Sequence, residues 1–166
     1  MTKDIILNLG CDKFKIPGFT NIDINPEVSP DMQLDLLDLD KAFDENSVDF
    51  IYAGHVLEHL PFEQSKQVLA KCQKILKPVR VMLIVVPDYS KCLDSVDITT
   101  AEKVIMANGD HKMLFNRDRL HSMIKSCGFK YAYEVNDLKE VPFLLVSNIY
   151  DPKPDPWQTA FLALKM

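Results

Sequence analysis

Apolar residues in this chain gather in short runs rich in Ile, Val and Leu: Ile5 to Leu9, Thr20 to Ile24, Met32 to Leu36, Val48 to Ala53 and Val81 to Val86. Runs that are apolar nearly throughout, instead of alternating, predict strands covered on both faces. Between the fourth and fifth, Phe62 to Lys77 sets Val68, Leu69, Cys72, Ile75 and Leu76 at helical spacing, with Pro61 before it and Pro78 after. Proline suits a helix start and cannot continue a helix. A buried strand, a helix and another buried strand form a crossover unit, which predicts a mainly parallel sheet and an α/β fold.

The second half has a different texture. Thr99-Thr100-Ala101-Glu102 has capping-box spacing and opens a short helix that Gly109 can close. Asn116 can cap another, carrying Leu120, Met123, Ile124 and Cys127 on one face, with Gly128 as its stop. Tyr131 to Val135, Phe143 to Ile149 and Thr159 to Leu164 then read as strands, and the last follows Pro152, Pro154 and Pro156. They predict a closing antiparallel hairpin at one sheet edge, with a proline-stiffened connection.

Composition narrows the class. With 166 residues, 47% hydrophobic and 26% charged, the chain predicts a single domain over residues 1–166 with a substantial core. Its formal charge of -5 gives no support for nucleic acid as a partner, since phosphate-backbone affinity comes from Lys and Arg. Cys11, Cys72, Cys92 and Cys127 form no C-x-x-C pair and predict reduced, mostly buried thiols. No signal-peptide pattern or long apolar stretch is present, so no membrane association is expected and the expected location is cytoplasmic. Only 5 glycines occur, so each marks a place where the backbone needs one.

In open α/β sheets a ligand sits at the carboxyl ends of the strands. The first predicted strand exits into Gly10-Cys11-Asp12, the second ends at Asp23, and the third ends in Asp35-Leu36. A glycine lets a ligand approach the backbone, an acid at the second exit can accept both hydroxyls of a ribose, and one at the third can accept from an exocyclic amine. Alone, Asp23 reads equally well as a solvated strand-end acid, and Gly10 as a turn glycine. Together they outline a nucleoside-shaped slot.

Several motifs, in order, carry a resemblance: Leu7-Asn8-Leu9-Gly10-Cys11, Pro17-Gly18-Phe19-Thr20-Asn21-Ile22-Asp23, Ser47-Val48-Asp49-Phe50-Ile51-Tyr52, His55-Val56-Leu57-Glu58-His59-Leu60, Leu76-Lys77-Pro78 and Val86-Pro87-Asp88. Over residues 5 to 90 the chain resembles the class I S-adenosylmethionine-dependent methyltransferases, and Trp157 to Lys165 is similar to their final strand. The resemblance implies a Rossmann-like class I methyltransferase fold. Its seven-stranded sheet has the order 3-2-1-4-5-7-6, is mainly parallel with an antiparallel last strand, and is flanked by helices. It implies S-adenosylmethionine as cofactor, with Asn8, Gly10, Cys11 and Asp12 around its methionine part and Asp23 on the ribose. Ile24, Asp35 and Leu36 would lie at the adenine, and Ala53, Gly54 and His55 beneath the sulfonium.

The chain departs from the family pattern in two places. Asp12 stands where the second motif glycine is usual, bringing a side chain and a charge that can clash with the cofactor's carboxylate or pair with its amino group. Val79-Arg80 replaces a Gly-Gly pair, and because a β-branched residue resists positive φ, a different turn is expected there.

Methyl transfer needs an acceptor placed in line with the sulfonium methyl, plus a base where the acceptor carries a proton. His55, at the fourth strand exit, is the first candidate base. His111 is a second, within the long Tyr89 to Phe115 segment expected to form a substrate lid, though Asp110-His111-Lys112 also reads as a plain polar turn. His59 is a third, though it reads more readily as a helix-packing or solvent residue. Glu58 reads as a partner or surface acid. His55, Glu58 and His59 lack zincin spacing and no third ligand stands out, so no metal is expected. The Asn-Pro-Pro-Tyr motif of amine-methylating nucleic-acid enzymes is absent.

No helix precedes the first strand to cover the cofactor. The Tyr89 to Phe115 segment then does so alone, or a partner or a second copy in a homodimer helps. The resemblance thus implies methyl transfer to an oxygen or nitrogen of a small-molecule acceptor, such as a saccharide or other metabolite. The alternative is a catalytically degenerate relative acting as a cofactor- or partner-binding module. A nicotinamide oxidoreductase needs G-x-G-x-x-G, and Gly10-Cys11-Asp12-Lys13-Phe14-Lys15 has one glycine of the three.

Overall fold

Hydrogen bonding sorts the apolar runs into strands β1 (Ile6–Leu9), β2 (Thr20–Asp23), β3 (Met32–Gln33), β4 (Val48–Gly54), β5 (Leu76–Pro87), β6 (Tyr131–Glu134) and β7 (Gln158–Leu164) in a computed structural model describing residues 4–136 and 157–166. They form one sheet in the order β3-β2-β1-β4-β5-β7-β6. The first five pair in parallel, and β7 runs antiparallel to both β5 and β6. The expected topology and closing antiparallel pair are therefore present. The expected strand over Phe143 to Ile149 and the proline-rich connection lie outside the described residues.

Helices α1 (Leu39–Ala42), α2 (Phe62–Ile75) and α5 (Arg117–Ser126) cover one face. There Val68, Leu69, Cys72 and Ile75 of α2 and Leu120, Met123 and Ile124 of α5 pack on Leu7, Leu9, Ile51, Met82 and Ile84. This core supplies most of the apolar burial that holds the domain. The opposite face bears a smaller cluster of Phe50, Leu83, Val85, Val135 and Ala160, with Phe19 edge-on to Phe50 at 6.1 Å. Alternate residues of the central strands thus enter different cores, which is why those strands read as continuously apolar.

Several boundaries shift for local reasons. β3 stops at Gln33, short of the expected Leu36, because the Asp35 carboxylate accepts from the Leu37 amide and caps a short 3-10 helix. Helix α2 ends at Ile75 and not Lys77, since Leu76 already pairs with Val48 and opens a twelve-residue β5. The segment after β5 contains the unforeseen α3 (Tyr89–Ser95), capped by Asp88, which accepts from the Ser90 and Lys91 amides. Helix α4 (Ile98–Met106) is capped by Asp97 in place of Thr99, because Asp97 accepts from both the amide and the hydroxyl of Thr100. Asn116 caps α5 as expected, accepting from the Arg119 amide, and Gly128 follows α5 at φ +94°.

The Val79-Arg80 turn is the clearest reversal. Val79 does adopt positive φ, at +61°, with its side chain largely exposed. Its amide donates to the Lys165 carbonyl and Lys165 donates back to Arg80, so β5 and the chain end hold the strained backbone from both sides. Arg80 also reaches Asp49 at 3.5 Å and Lys77 reaches it at 2.7 Å. Burial pushes the Asp49 carboxyl up, but the Lys77 and Ile5 hydrogen bonds and both cations outweigh it and hold the carboxyl below its ordinary value. These replacements sit at the start of β5, at the opposite end of the sheet from the strand exits.

Left-handed backbone costs an L-residue about 1–2 kcal/mol, while a glycine costs about 0.5–1 kcal/mol in unfolded-chain entropy. Val79→Gly should therefore stabilise the protein by roughly 0.5–1 kcal/mol, raising Tm by about 1–4 °C. Differential scanning calorimetry checks this, and a lower Tm would contradict the strain argument.

Candidate functional site

The carboxyl ends of β1, β2 and β4 open into a cavity of about 1060 Å³. Gly10, at φ +58°, forms its floor, and a Cβ there would lie 2.8 Å from a Val56 methyl. Gly54 lies under the Tyr52 side chain, where a Cβ would come within 2.2 Å of the phenol oxygen. Both glycines are needed for close approach, as their positions in the sequence suggested.

Asp23 leaves β2 with both carboxylate oxygens turned to the loops: Oδ2 accepts from the Asp12 amide and Oδ1 from the Asn25 amide, each at 2.9 Å. It joins the first and second strand exits while keeping lone pairs toward the cavity. Asp12 sits at φ +41°, so the loop keeps a glycine-type backbone, and its side chain is exposed at the cavity rim. Asn tolerates such backbone well, and so does Asp. Beneath them the buried Asn8 donates to the Phe14 carbonyl and to Asn21 Oδ1, at 3.0 and 2.9 Å. Asn21 in turn holds Asp31, whose carboxyl is drawn down to about 2 by the Lys15 hydrogen bond and by the Asn21 amides. Asn8 thus acts mainly by fixing the loop. Burial, and then the Asp23 charge, push the Cys11 thiol up, so Cys11 is an apolar wall and not a nucleophile.

Of the other sequence candidates, Ile24, Asp35, Leu36, Gly54 and His55 all line the cavity. Ala53 does not: it is 1% exposed and packs into the helix-covered core, because it faces away from its neighbours on the strand. His55 stands at φ +57° just past β4, with its amide donating to Val85 O. Its Nδ1 lies 3.0 Å from Glu58 Oε1 and its Nε2 lies 2.8 Å from Gln158 Nε2. A carboxylate accepts, so the proton sits on Nδ1 and Nε2 is left as an acceptor. Glu58, expected as a surface or partner acid, is the partner, only 1% exposed.

His59 also lines the cavity and pairs with Asp110 at 3.1 Å. His111 does not reach the cavity: it lies behind His59, ring centroids 5.0 Å apart, and its Nδ1 donates to Ile105 O. Residues 89 to 115 are largely helical, and among the described side chains of that segment only Asp110 reaches the cavity wall.

The sequence did not single out Tyr52, Val56, Gln64, Asp110 and Gln158, which are among the residues that line the wall. The alternation of β4 marks Tyr52 as facing away from Ala53, but nothing local signals the others.

Four aspartates line the cavity, Asp12, Asp23, Asp35 and Asp110, and no Lys or Arg does among the described residues. The cavity thus lies at the strand exits of a doubly wound sheet, the place where open α/β sheets hold ligands. A family model described as a methyltransferase domain matches residues 18–84. That match and the sheet order support the class I S-adenosylmethionine-dependent methyltransferase family.

Solved structures share the fold at low identity. A SAM-dependent methyltransferase from Archaeoglobus fulgidus is 16% identical with a TM-score of 0.71, the match covering 98% of this chain and 86% of that one. One from Thermotoga maritima is 13% identical with a TM-score of 0.70, covering 100% and 84%. Haemonchus contortus phosphoethanolamine N-methyltransferase 2, in complex with S-adenosyl-L-methionine, is 16% identical with a TM-score of 0.63, and the match covers 99% of this chain but 49% of that one. Among curated proteins, none matches. No described helix is long and apolar enough to cross a membrane.

Proposed function

We propose that the protein transfers a methyl group from S-adenosylmethionine to an oxygen or nitrogen of a small-molecule acceptor. The acidic cavity wall, without Lys or Arg among the described residues, carries this reading. A dinucleotide's pyrophosphate would meet like charge at the described wall, whereas S-adenosylmethionine, whose sulfonium and ammonium outweigh its carboxylate, carries a net charge of opposite sign. At about 1060 Å³ the cavity lies at the upper end for ligand pockets, roughly 300–1,000 Å³, and has room for a cofactor and an acceptor together.

The residues present fit the cofactor. Gly10 lines the cavity with bare backbone packed against Val56, and Asp23 offers lone pairs to a diol. Asp35 stands at the third exit for an amine, and Ile24 and Leu36 supply apolar contact. When bound, the cofactor supplies an electrophilic methyl on a positively charged sulfur. His55 serves as proton acceptor: Glu58 fixes its ring and tautomer, and Nε2 exchanges the Gln158 amide for an acceptor proton. His59 and Asp110 line the same wall and contact the acceptor. The retained left-handed backbone at Asp12 argues for a working site over a degenerate binding module.

Calorimetry with S-adenosylhomocysteine tests the reading. Saturable binding is expected, with stabilisation of about 2.7 kcal/mol at a hundredfold excess over Kd and a Tm rise of about 5–11 °C. NAD should produce no comparable rise. Absence of S-adenosylhomocysteine binding at millimolar ligand, or a larger shift with NAD, would overturn it.

A further inference from the structure

Glu58 is the most deeply buried acid at the site, 1% exposed. Its Oε1 is engaged by His55, but its Oε2 is buried with no hydrogen-bond partner. An ionised oxygen held out of water without a partner is costly and calls for a cation or a donor. His59 and His111 stand next to it. One carboxylate oxygen of Glu58 and one ring nitrogen from each histidine all lie within 4.8 Å of one another.

Both imidazoles are oriented from their far sides. His59 Nδ1 lies 3.1 Å from Asp110 Oδ2, and His111 Nδ1 lies 3.0 Å from the Ile105 carbonyl. The Ile105 carbonyl accepts from His111 Nδ1, so the Nε2 of that ring keeps its lone pair, while Asp110 stands beside His59 as an ion-pair partner. This is how outer groups hold metal-ligating histidines, fixing tautomer and ring direction. The fold also supplies what the sequence did not show, a third ligand, by bringing His111 from a loop beyond α4 to the turn after β4. Two backbone bonds fasten that loop: the Lys112 and Met113 amides both donate to the Glu58 carbonyl, at 2.7 and 3.1 Å.

We infer that Glu58, His59 and His111 form a binding site for one first-row divalent transition-metal ion of the zinc class. Two imidazoles and a carboxylate are the borderline N/O donor set that such ions prefer over Mg²⁺ or Ca²⁺. At metal–ligand distances of about 2.0–2.2 Å, tetrahedral ligand atoms lie roughly 3.4 Å apart, so side-chain shifts of about 1 Å close the site. Three protein ligands leave a position open, as in catalytic metal sites. Of the three ligands His59 alone lines the large cavity, and we place the open position on its side, toward the acceptor. An oxygen-bearing acceptor, ligated through a hydroxyl, is the substrate class this selects. That last step rests on the methyl-transfer reading, whereas metal binding itself does not.

The test titrates the metal-stripped full chain with Zn²⁺ and Co²⁺ by calorimetry, and records the visible spectrum of the cobalt form. Stoichiometric 1:1 binding is expected, with d–d bands of nitrogen and oxygen ligation. His111→Ala and His59→Ala should each lower affinity by more than about 100-fold, and Asp110→Asn, which acts only through His59, by about 10–100-fold. His121→Ala, outside the cluster, should bind as wild type, and circular dichroism confirms that each variant folds. No saturable binding, binding indifferent to His59 and His111, or a thiolate-to-cobalt charge-transfer band would overturn the inference. S-adenosylhomocysteine titrations of the same samples separate the readings: intact cofactor binding without metal binding defeats the metal site alone.

Discussion

Replacement of Asp23 by Ala lowers affinity for S-adenosylhomocysteine by at least about 100-fold, equivalent to roughly 2.8 kcal/mol. The size follows from two losses. The carboxylate is proposed to accept from the ribose diol, and hydrogen bonds to charged groups contribute about 1.5–3 kcal/mol each. It also accepts from the Asp12 and Asn25 amides, so its removal frees both loops that frame the slot. Asp23→Asn keeps two polar atoms but offers acceptor capacity on only one, and should fall between wild type and Ala. Calorimetry with urea unfolding in parallel separates affinity from stability. Binding of the Ala variant within about threefold of wild type would remove Asp23 from the cofactor site.

A second large effect is expected at Gly54. A Cβ there would stand 2.2 Å from the Tyr52 phenol oxygen and 2.5 Å from its Cζ, so Gly54→Ala must drive the ring from its place. That ring lines the cavity and is largely buried: burial, and then the Glu58 charge, push its phenol up. Overpacking costs about 1–3 kcal/mol, or a Tm loss of roughly 2–12 °C for a chain of this size. A displaced ring also narrows the proposed methyl-transfer end, so affinity for S-adenosylhomocysteine should fall by about 10-fold or more. The double variant Tyr52→Ala with Gly54→Ala removes the clash. A double-mutant cycle should therefore show a favourable coupling of about 1 kcal/mol or more. Strict additivity would mean that the ring and the glycine do not share one space.

Neither effect could be sized from the chain alone, though both residues could be named from it. Asp23 and Gly10 are legible because each ends an apolar run, and strand ends in a parallel sheet converge on one edge whatever the helices do. Tyr52 and Gly54 lie two apart on one strand, so their shared face follows from alternation, but their contact depends on a ring rotamer. Gln158 reaches His55 across 103 positions, and only the antiparallel insertion of β7 beside β5 brings it there. The Val79 backbone went against expectation because intrinsic preference, about 1–2 kcal/mol, is smaller than the ladder bonds that hold the strand on both sides. The capping of α4 at Asp97 instead of Thr99 has the same character: two acceptors compete over a few residues, and the neighbouring chain direction chooses.

By itself the sequence determined the α/β class, the parallel sheet, the strand exits that open into the cavity and the acid, Asp23, that ends the second strand. Hydrophobic period and terminal residue chemistry are local quantities, readable within one element. Tertiary structure alone decided which histidine enters the cavity and which stands behind it, that Glu58 is buried with one oxygen unpartnered, and that His111 joins it. Those facts depend on the packing of segments about fifty residues apart, where the free energy of burying a whole face sets positions that no single residue's preference encodes.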